Sequence, residues 1–479
     1  MLAFVRRKCT VSMTDYDRAL AYLFGRINYE RAPAGSYGAR QFKLERMHDL
    51  LAAVGNPHHG MRIVHVAGTK GKGSTSAMIA AALSAAGRGT GLFTSPHLVN
   101  LEERIAIDGR ACASEDLVRL VSHLRPVVDA MDDDAAHYPD ECGPTYFELT
   151  TVMALLHFAQ RKVEAAVLEV GLGGRLDSTN VCTPAISVIT SISFDHQRQL
   201  GNTLAEIAFE KAGIIKPGVP VVSGVTGDEP RTVIERVCAE RGSRLMQLGR
   251  DFDYRYYPPH QVDHYPQSGK IDFEHHRDRA QSCAALPLGL LGPHQAANAA
   301  VALATFAELR EAGWPISESA ARAGIADARA PARIEVIGRQ PTIIIDAAHN
   351  VASVEALLST LDTSFAPQPR LLIFATTQDK DVRGMMAQLL PRFDVVLLTR
   401  YRNNPRGVPT EELAAIAAEL GGSHCRVCDD PATAWDAARQ ILTPDHLLCV
   451  TGSFFTAAEM RQQIERRPLD CAASAVRRA

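Results

Sequence analysis

The chain has almost no imbalance of charge. Its 51 lysines and arginines face 54 aspartates and glutamates, a formal net charge of -3 over 479 residues. This excludes the broad basic field that gathers proteins on nucleic acid or anionic membranes, but leaves room for a local pocket that takes a small anion. No stretch approaches the roughly 20 apolar residues needed to span a bilayer. The opening MLAFVRRKCTVSMT carries basic residues without a sustained apolar run, so it does not read as a secretory leader. Residues 1–14 read as a disordered extension, with Met13 as an alternative start. A disulfide framework is missing too. The ten cysteines (Cys9, Cys112, Cys142, Cys182, Cys238, Cys283, Cys425, Cys428, Cys449 and Cys471) are scattered, as expected of reduced thiols in the cytoplasm. Their one close pair, Cys425-x-x-Cys428, lacks the second pair of a zinc site and reads as incidental.

What is present is a globular balance, 46% hydrophobic and 22% charged residues. At roughly 100–200 residues per domain, the length predicts two or three domains. Helical spacing runs from Asp15 to Val54 and closes at Gly55. MRIVHVAG then reads as a strand entering a glycine-rich turn, and STSAMIAAALSAAG (Ser74–Gly87) as a helix ended by Gly87. GTGLFTS, AAVLEVG and PAISVITSIS are further strands separated by helical stretches such as TYFELTTVMALLHFAQ, an alternation that predicts a largely parallel sheet. Residues 251–282 are rich in Tyr, Pro and His and read as a hairpin insertion. Its histidines lack ligand spacing and are expected in a solvated loop. After the helical HQAANAAVALATFAELREAG, the Ala/Arg-rich ADARAPARIEV reads as a hinge. TIIIDAAHN, RLLIFATTQD, DVVLLTR and HLLCVTGS then predict a second, smaller α/β sheet. The expected division is residues 15–326 and 327–479.

The strongest chemical signal is Gly68-Thr69-Lys70-Gly71-Lys72-Gly73-Ser74, between a strand and a helix. Glycines let backbone N–H groups converge on phosphate oxygens, and the following helix points its positive end at them. Lys72 is placed to meet the terminal phosphates and Ser74 to touch them or their metal. The loop is shorter than G-x-x-x-x-G-K-[ST] and carries an extra glycine. Glu169, at the end of an apolar strand, is a hard oxygen ligand suited to magnesium. The glycine-rich run from Gly171 to Asn180 follows it, a functional loop by composition. His196 at another strand's exit reads by itself as structural, and Lys211 as a solvated helix lysine.

GTKGKGS, TSPHL (Thr94–Leu98), TYFELTT (Thr145–Thr151), EVGLGGRLDSTN (Glu169–Asn180), LGNTLAEIAFEKAGIIKPG (Leu200–Gly218), GPHQAAN (Gly292–Asn298), DAAHN (Asp346–Asn350), DKD (Asp379–Asp381) and TGSFF (Thr451–Phe455) occur in the order seen in folylpolyglutamate synthases. From about Asp15 to TGSFF the chain resembles that family, and nine motifs in register are far more specific than any one. The resemblance implies an α/β protein with an N-terminal P-loop, Mur-ligase-like ATPase domain and a smaller C-terminal Rossmann-like domain. It implies ATP contacts from Gly71, Lys72, Gly73, Ser74, Asn298, Arg333 and Asp346, and pterin contacts from Thr145, Tyr146, Phe147, Glu148, Leu176, Asp177 and Ser178. Ser95, Glu169 and His196 would ligate Mg2+, joined by Lys211 as a carbamate; Lys72, Lys211 and His196 would be catalytic. His349 is placed to face the phosphates across the cleft.

The implied reaction joins L-glutamate to a folate or dihydropteroate carboxylate, at the expense of ATP, through an acyl phosphate. The expected protein is a cytoplasmic monomer without nucleic-acid or membrane partners. A Mur-type UDP-sugar amino-acid ligase is the alternative. Departures from the family pattern are Lys70 where asparagine is frequent, no glycine before Asp195-His196, Val351 in place of proline, and the Tyr/His-rich insertion. They leave dihydropteroate and reduced folates open as substrates.

Overall fold

Ile63, Val64, Val66 and Ala67 are all buried in the strand Arg62–Ala67, with no alternation of exposed positions. A strand that hides both faces belongs at the centre of a helix-covered parallel sheet, and the computed structural model places it there. The structure describes residues 14–30, 44–134 and 143–469. The expected extension lies outside these residues apart from Thr14, as do Cys9, Cys142 and Cys471 and part of the helical reading between Asp15 and Val54.

The first sheet holds β1 (Arg62–Ala67), β2 (Thr90–Phe93), β3 (Ile105–Ile107), β4 (Arg110–Ala111), β5 (Ala165–Glu169), β6 (Ile186–Ile189), β7 (Val221–Ser223) and β8 (Leu245–Gln247). Their order is β4-β3-β2-β5-β1-β6-β7-β8, parallel from β2 to β8, with β3 and β4 added antiparallel at one edge. On one face the helix Lys72–Ala85 lies under Pro293–Glu311 and Glu318–Asp327. It buries residues all round, which explains why it shows no amphipathic stripe.

Residues 251–282, read as a hairpin insertion with its histidines in a solvated loop, hold two antiparallel strands, β9 (Phe252–Tyr257) and β10 (Gly269–His275), and one of those histidines, His275, is buried. With β11 (Cys283–Leu288) they form an antiparallel sheet. Phe252, Ile271, Phe273, Leu286 and Leu288 join the core beneath the helix Pro293–Glu311. The period-two alternation of FDYRYY and KIDFEH carries this sheet, hidden under an unusual composition. His275 Nδ1 accepts the Asp278 N–H at 2.9 Å. Between β9 and β10 the chain reaches the second sheet's layer, where Val262 enters the core and its N–H donates to Ser364 O at 3.0 Å.

The last sheet contains β12 (Glu335–Arg339), β13 (Thr342–Ile345), β14 (Arg370–Phe374), β15 (Val395–Leu398), β16 (Cys425–Val427) and β17 (Leu447–Thr451). Its order is β12-β13-β17-β14-β15-β16, parallel except for β12. The Cys425-x-x-Cys428 pair therefore starts on an edge strand. No helix among the described residues is long and apolar enough to cross a membrane.

A buried ion pair ties the helix Leu44–Ala53 to Tyr146–Gln160. Arg46 Nε and Nη2 donate to the two oxygens of Glu148, each at 2.8 Å. Removing one partner strands a buried charge, so Arg46→Ala is expected to cost about 3–5 kcal/mol. A thermal midpoint equal to that of the unmodified protein would contradict this.

Candidate active site

The loops that leave β1, β5, β6, β13, β14 and β17 at their carboxyl ends face one another across a cleft of about 1310 Å³. In parallel α/β sheets these ends are where ligands bind, because helix N-termini and irregular backbone converge there. Gly71, Lys72, Gly73, Ser74, Ser95, Glu169 and His196 line it from the first sheet's side, and Arg333, Asp346 and His349 from the other. Thr145, Tyr146, Phe147, Glu148, Leu176, Asp177, Ser178 and Asn298 line it as well. Lys211 alone among the expected site residues does not reach the wall. It is buried behind the phosphate loop.

The loop opens the helix Lys72–Ala85 with Gly71 at φ 85°, a left-handed conformation that favours glycine. A Cβ there would also collide with the Asn298 side chain, which packs on the loop. Thr69 N–H donates to Ser191 O at 2.7 Å and Lys70 N–H to Ser191 Oγ at 3.0 Å, tying the loop to the exit of β6. Lys72 Nζ donates to Gly68 O at 3.2 Å, folded back over its own loop.

Glu169 lies against Gly73: a Cβ on that glycine would stand 3.4 Å from Glu169 Oε2. The same oxygen accepts the Ser95 N–H at 3.1 Å. Burial holds the Glu169 carboxyl above its usual range, against the pull of Lys72, the Ser95 N–H and Arg333. A buried carboxylate beside a hydroxyl and a phosphate loop is a hard-oxygen donor set and fits a magnesium ion. The cleft around His196, whose side chain is 47% exposed, holds it below its usual range, with Lys380, Lys211 and Lys72 adding to the fall, which favours a neutral imidazole able to act as a ligand. Lys211 Nζ donates to Gly68 O at 2.9 Å. Burial and then Lys72 push the amine down to about 7.

In the opposite wall, Asp346 accepts the Ala348 N–H at 2.7 Å and the Ile334 N–H at 2.9 Å, fixing the turn after β13. Arg333 stacks on Phe454, its guanidinium carbon 4.5 Å from the ring centre. Several expected pterin positions also have structural partners. Thr145 caps the helix Tyr146–Gln160 in a capping box with Glu148, and Asp177 accepts the Leu172 N–H at 2.9 Å and the Thr179 N–H at 3.0 Å. Phe147 presents its ring to the cleft beside Phe93, centroids 5.9 Å apart.

Sequence reasoning missed Glu30, Arg104, Lys380, Arg406 and Phe454, all of which line the cleft. DKD and TGSFF contained the signal for Lys380 and Phe454. Nothing local marks Arg104, whose guanidinium is buried and paired with Glu30. The compact grouping of Cys112, Asp116 and His157 is the one metal-like cluster of Cys, His and carboxylates among the described residues. It stands away from the cleft, and Asp116 is already paired with Arg119 and Arg161.

Two family models match the chain in order: the Mur ligase middle domain over residues 66–306 and the Mur ligase glutamate ligase domain over residues 332–454. The folylpolyglutamate synthase of Lacticaseibacillus casei is 35% identical over 420 residues, covering 88% of this chain and 94% of that protein. The dihydrofolate synthase/folylpolyglutamate synthase of Bacillus subtilis is 33% identical over 94% of this chain and 100% of its own length. Among solved structures, Mycobacterium tuberculosis folylpolyglutamate synthase complexed with ADP superposes with a TM-score of 0.82 at 31% identity, covering 95% of this chain and 99% of that one. Escherichia coli FolC in complex with DHPP and ADP gives 0.77 at 30%, covering 94% and 98%. Likeness of this extent, over most of the length of both chains, makes the chain a member of the folylpolyglutamate synthase/dihydrofolate synthase family of Mur ligases.

Proposed function

We propose that this protein is an ATP-dependent ligase that forms an amide between the amine of L-glutamate and a carboxylate of a folate or of dihydropteroate. The observation that carries the reading is the cleft itself. A lysine-bearing glycine loop at a helix N-terminus faces Arg333, Asp346 and His349 of a second α/β layer, in a space large enough for a nucleotide and a second substrate. Relatives named for this ligation, and solved relatives holding ADP, agree with it.

A carboxylate resists attack by an amine because its oxygens leave poorly. A carboxylate oxygen of the folate takes the γ-phosphoryl group of ATP and ADP departs. The glutamate nitrogen then attacks the acyl carbon, the C–O bond to phosphate breaks, and the amine proton goes to solvent. Backbone N–H groups of Gly71 to Ser74 hold phosphate oxygens and Lys72 Nζ balances charge on the group in transit. Asn298, Arg333 and Asp346 hold the nucleotide, while Phe147 and the Leu176–Ser178 segment meet the pterin. Ser95, Glu169 and His196 would hold Mg2+, which when bound supplies charge neutralisation for the phosphates. Lys211 extends this set as a carbamate: its depressed basicity leaves a neutral amine that can add to CO2 and release a proton.

The test is ADP release that requires glutamate, measured in parallel with dihydropteroate, tetrahydrofolate and a UDP-linked muramyl acid, with products resolved by mass. A new glutamyl amide on either pterin acid is the expected result. Ligation on the UDP-sugar alone would establish the Mur-type alternative instead.

A further inference from the structure

We propose that Lys70 is a positioning residue that latches the second α/β layer over the phosphate loop, through a network of Lys70, Asp195, His349 and Lys380. The proposal rests on the ligase reading above and adds what holds the two walls together at the reacting end of the nucleotide.

Lys70 belongs to the glycine loop, yet its side chain is engaged by Asp195 and His349. Its main chain is pinned: the N–H donates to Ser191 Oγ at 3.0 Å, and the carbonyl accepts Thr190 Oγ1 at 2.6 Å and Ser191 Oγ at 3.0 Å. From that fixed root Nζ crosses the cleft, reaching Asp195 Oδ2 at 2.8 Å on its own side and His349 Nε2 at 3.1 Å on the other. His349 is oriented for this contact. Its Nδ1–H donates to Ala347 O at 2.9 Å, which leaves the Nε2 lone pair for a donor, and the lysine ammonium is that donor.

Asp195 also serves both sides. Its other oxygen, Oδ1, lies 3.5 Å from Lys380 Nζ, and Lys380 belongs to the loop after β14. One carboxylate thus lies between two lysines from facing layers; if the layers separated, Lys380 would lose that counter-charge, and Lys70 would keep it but lose His349. The chain of charges continues outward, Lys380 to Asp379 at 3.5 Å and Asp379 Oδ1 to Arg406 at 2.8 Å. Arg406 returns to the first layer by donating to Glu30 O at 3.1 Å. Because the phosphate loop supplies the root of Lys70, its geometry and the closeness of the layers are coupled through a single side chain. A charge-assisted hydrogen bond of this kind is strong but strongly directional, as a latch requires. Lys72, two residues on, keeps its own contact with Gly68 O and does not share the network's hydrogen bonds.

Lys70→Met keeps an unbranched side chain one atom shorter and removes the donor. Small-angle scattering of the full chain with Mg-ADP is expected to show a larger radius of gyration for Lys70→Met and for Lys380→Met, with Lys70→Arg at the unmodified value. In the ligation assay, Lys70→Met is expected to lower kcat about ten-fold with ADP affinity, by equilibrium dialysis, within about two-fold. Scattering unchanged in both methionine variants would overturn the proposal. So would a parallel loss of ADP affinity and kcat without a change of shape, which would make Lys70 a phosphate ligand. Scattering does not depend on which acid is ligated, so a failure of the substrate assignment would leave this result readable.

Discussion

Replacing Lys72 by alanine is expected to lower glutamate-dependent ADP formation by about 10³-fold, while leaving the fold intact. The reasoning is electrostatic. Negative charge spreads over the transferred phosphoryl group as the bond to ADP lengthens, and Lys72 is the loop cation rooted at the helix N-terminus beside Glu169. A positioned ammonium stabilises that charge with little reorganisation at the moment of reaction. Because its interaction strengthens in the transition state, the loss should fall mainly on kcat. The side chain is only partly buried, and among the described residues its hydrogen bond is to Gly68 O. Unfolding measurements should therefore hardly move. A Lys72→Ala protein that turned over within ten-fold of the original would sink the phosphate-loop assignment.

Lys211→Met is expected to reduce turnover by about 10²-fold and to remove a pH dependence of stability. Burial pushes the amine down to about 7 in the folded protein, from an ordinary 10.5. Between those pH values the unfolded chain holds a proton that the folded chain has released. Stability in CO2-free buffer therefore rises with pH across this window, and the charged form is a burden below it. Lys211→Met, with no group to titrate, loses that slope. Bicarbonate should restore the activity of CO2-stripped enzyme and give a carbamate signal by 13C NMR when 13C-labelled bicarbonate is used. Equal slopes for the two proteins between pH 7 and 10 would contradict the buried neutral amine. Full activity without CO2 would contradict the carbamate.

The parts legible in the sequence share one property: their physics is local. β1 and the helix Lys72–Ala85 follow from an apolar run, a glycine turn and a capable helix sequence, and the expected Gly87 stop sits at φ 76° just past the helix end. β5, β6, β13, β14, β15 and β17 read as apolar runs because both their faces are covered. The edges were illegible for the opposite reason. β4 has two residues, both exposed, and β16 has three with two exposed, too little burial to impose a pattern. The extent of the β9–β11 sheet was obscured because tyrosines and a histidine share its inward face, while Asp253, Arg255, Tyr257, Lys270 and Glu274 occupy outward positions.

Sequence alone determined the loop that can hold phosphates, the order of the strands' chemistry and the family, since each depends on residues adjacent in the chain. Tertiary structure decided which distant groups share a cavity. It brought Lys70 within 3.1 Å of His349 across 279 positions of sequence, buried Lys211 so that its amine is weakened, and paired Glu148 with Arg46 of another helix. Electrostatic coupling falls with distance in space and takes no account of distance along the chain, so only the folded arrangement could set those partners.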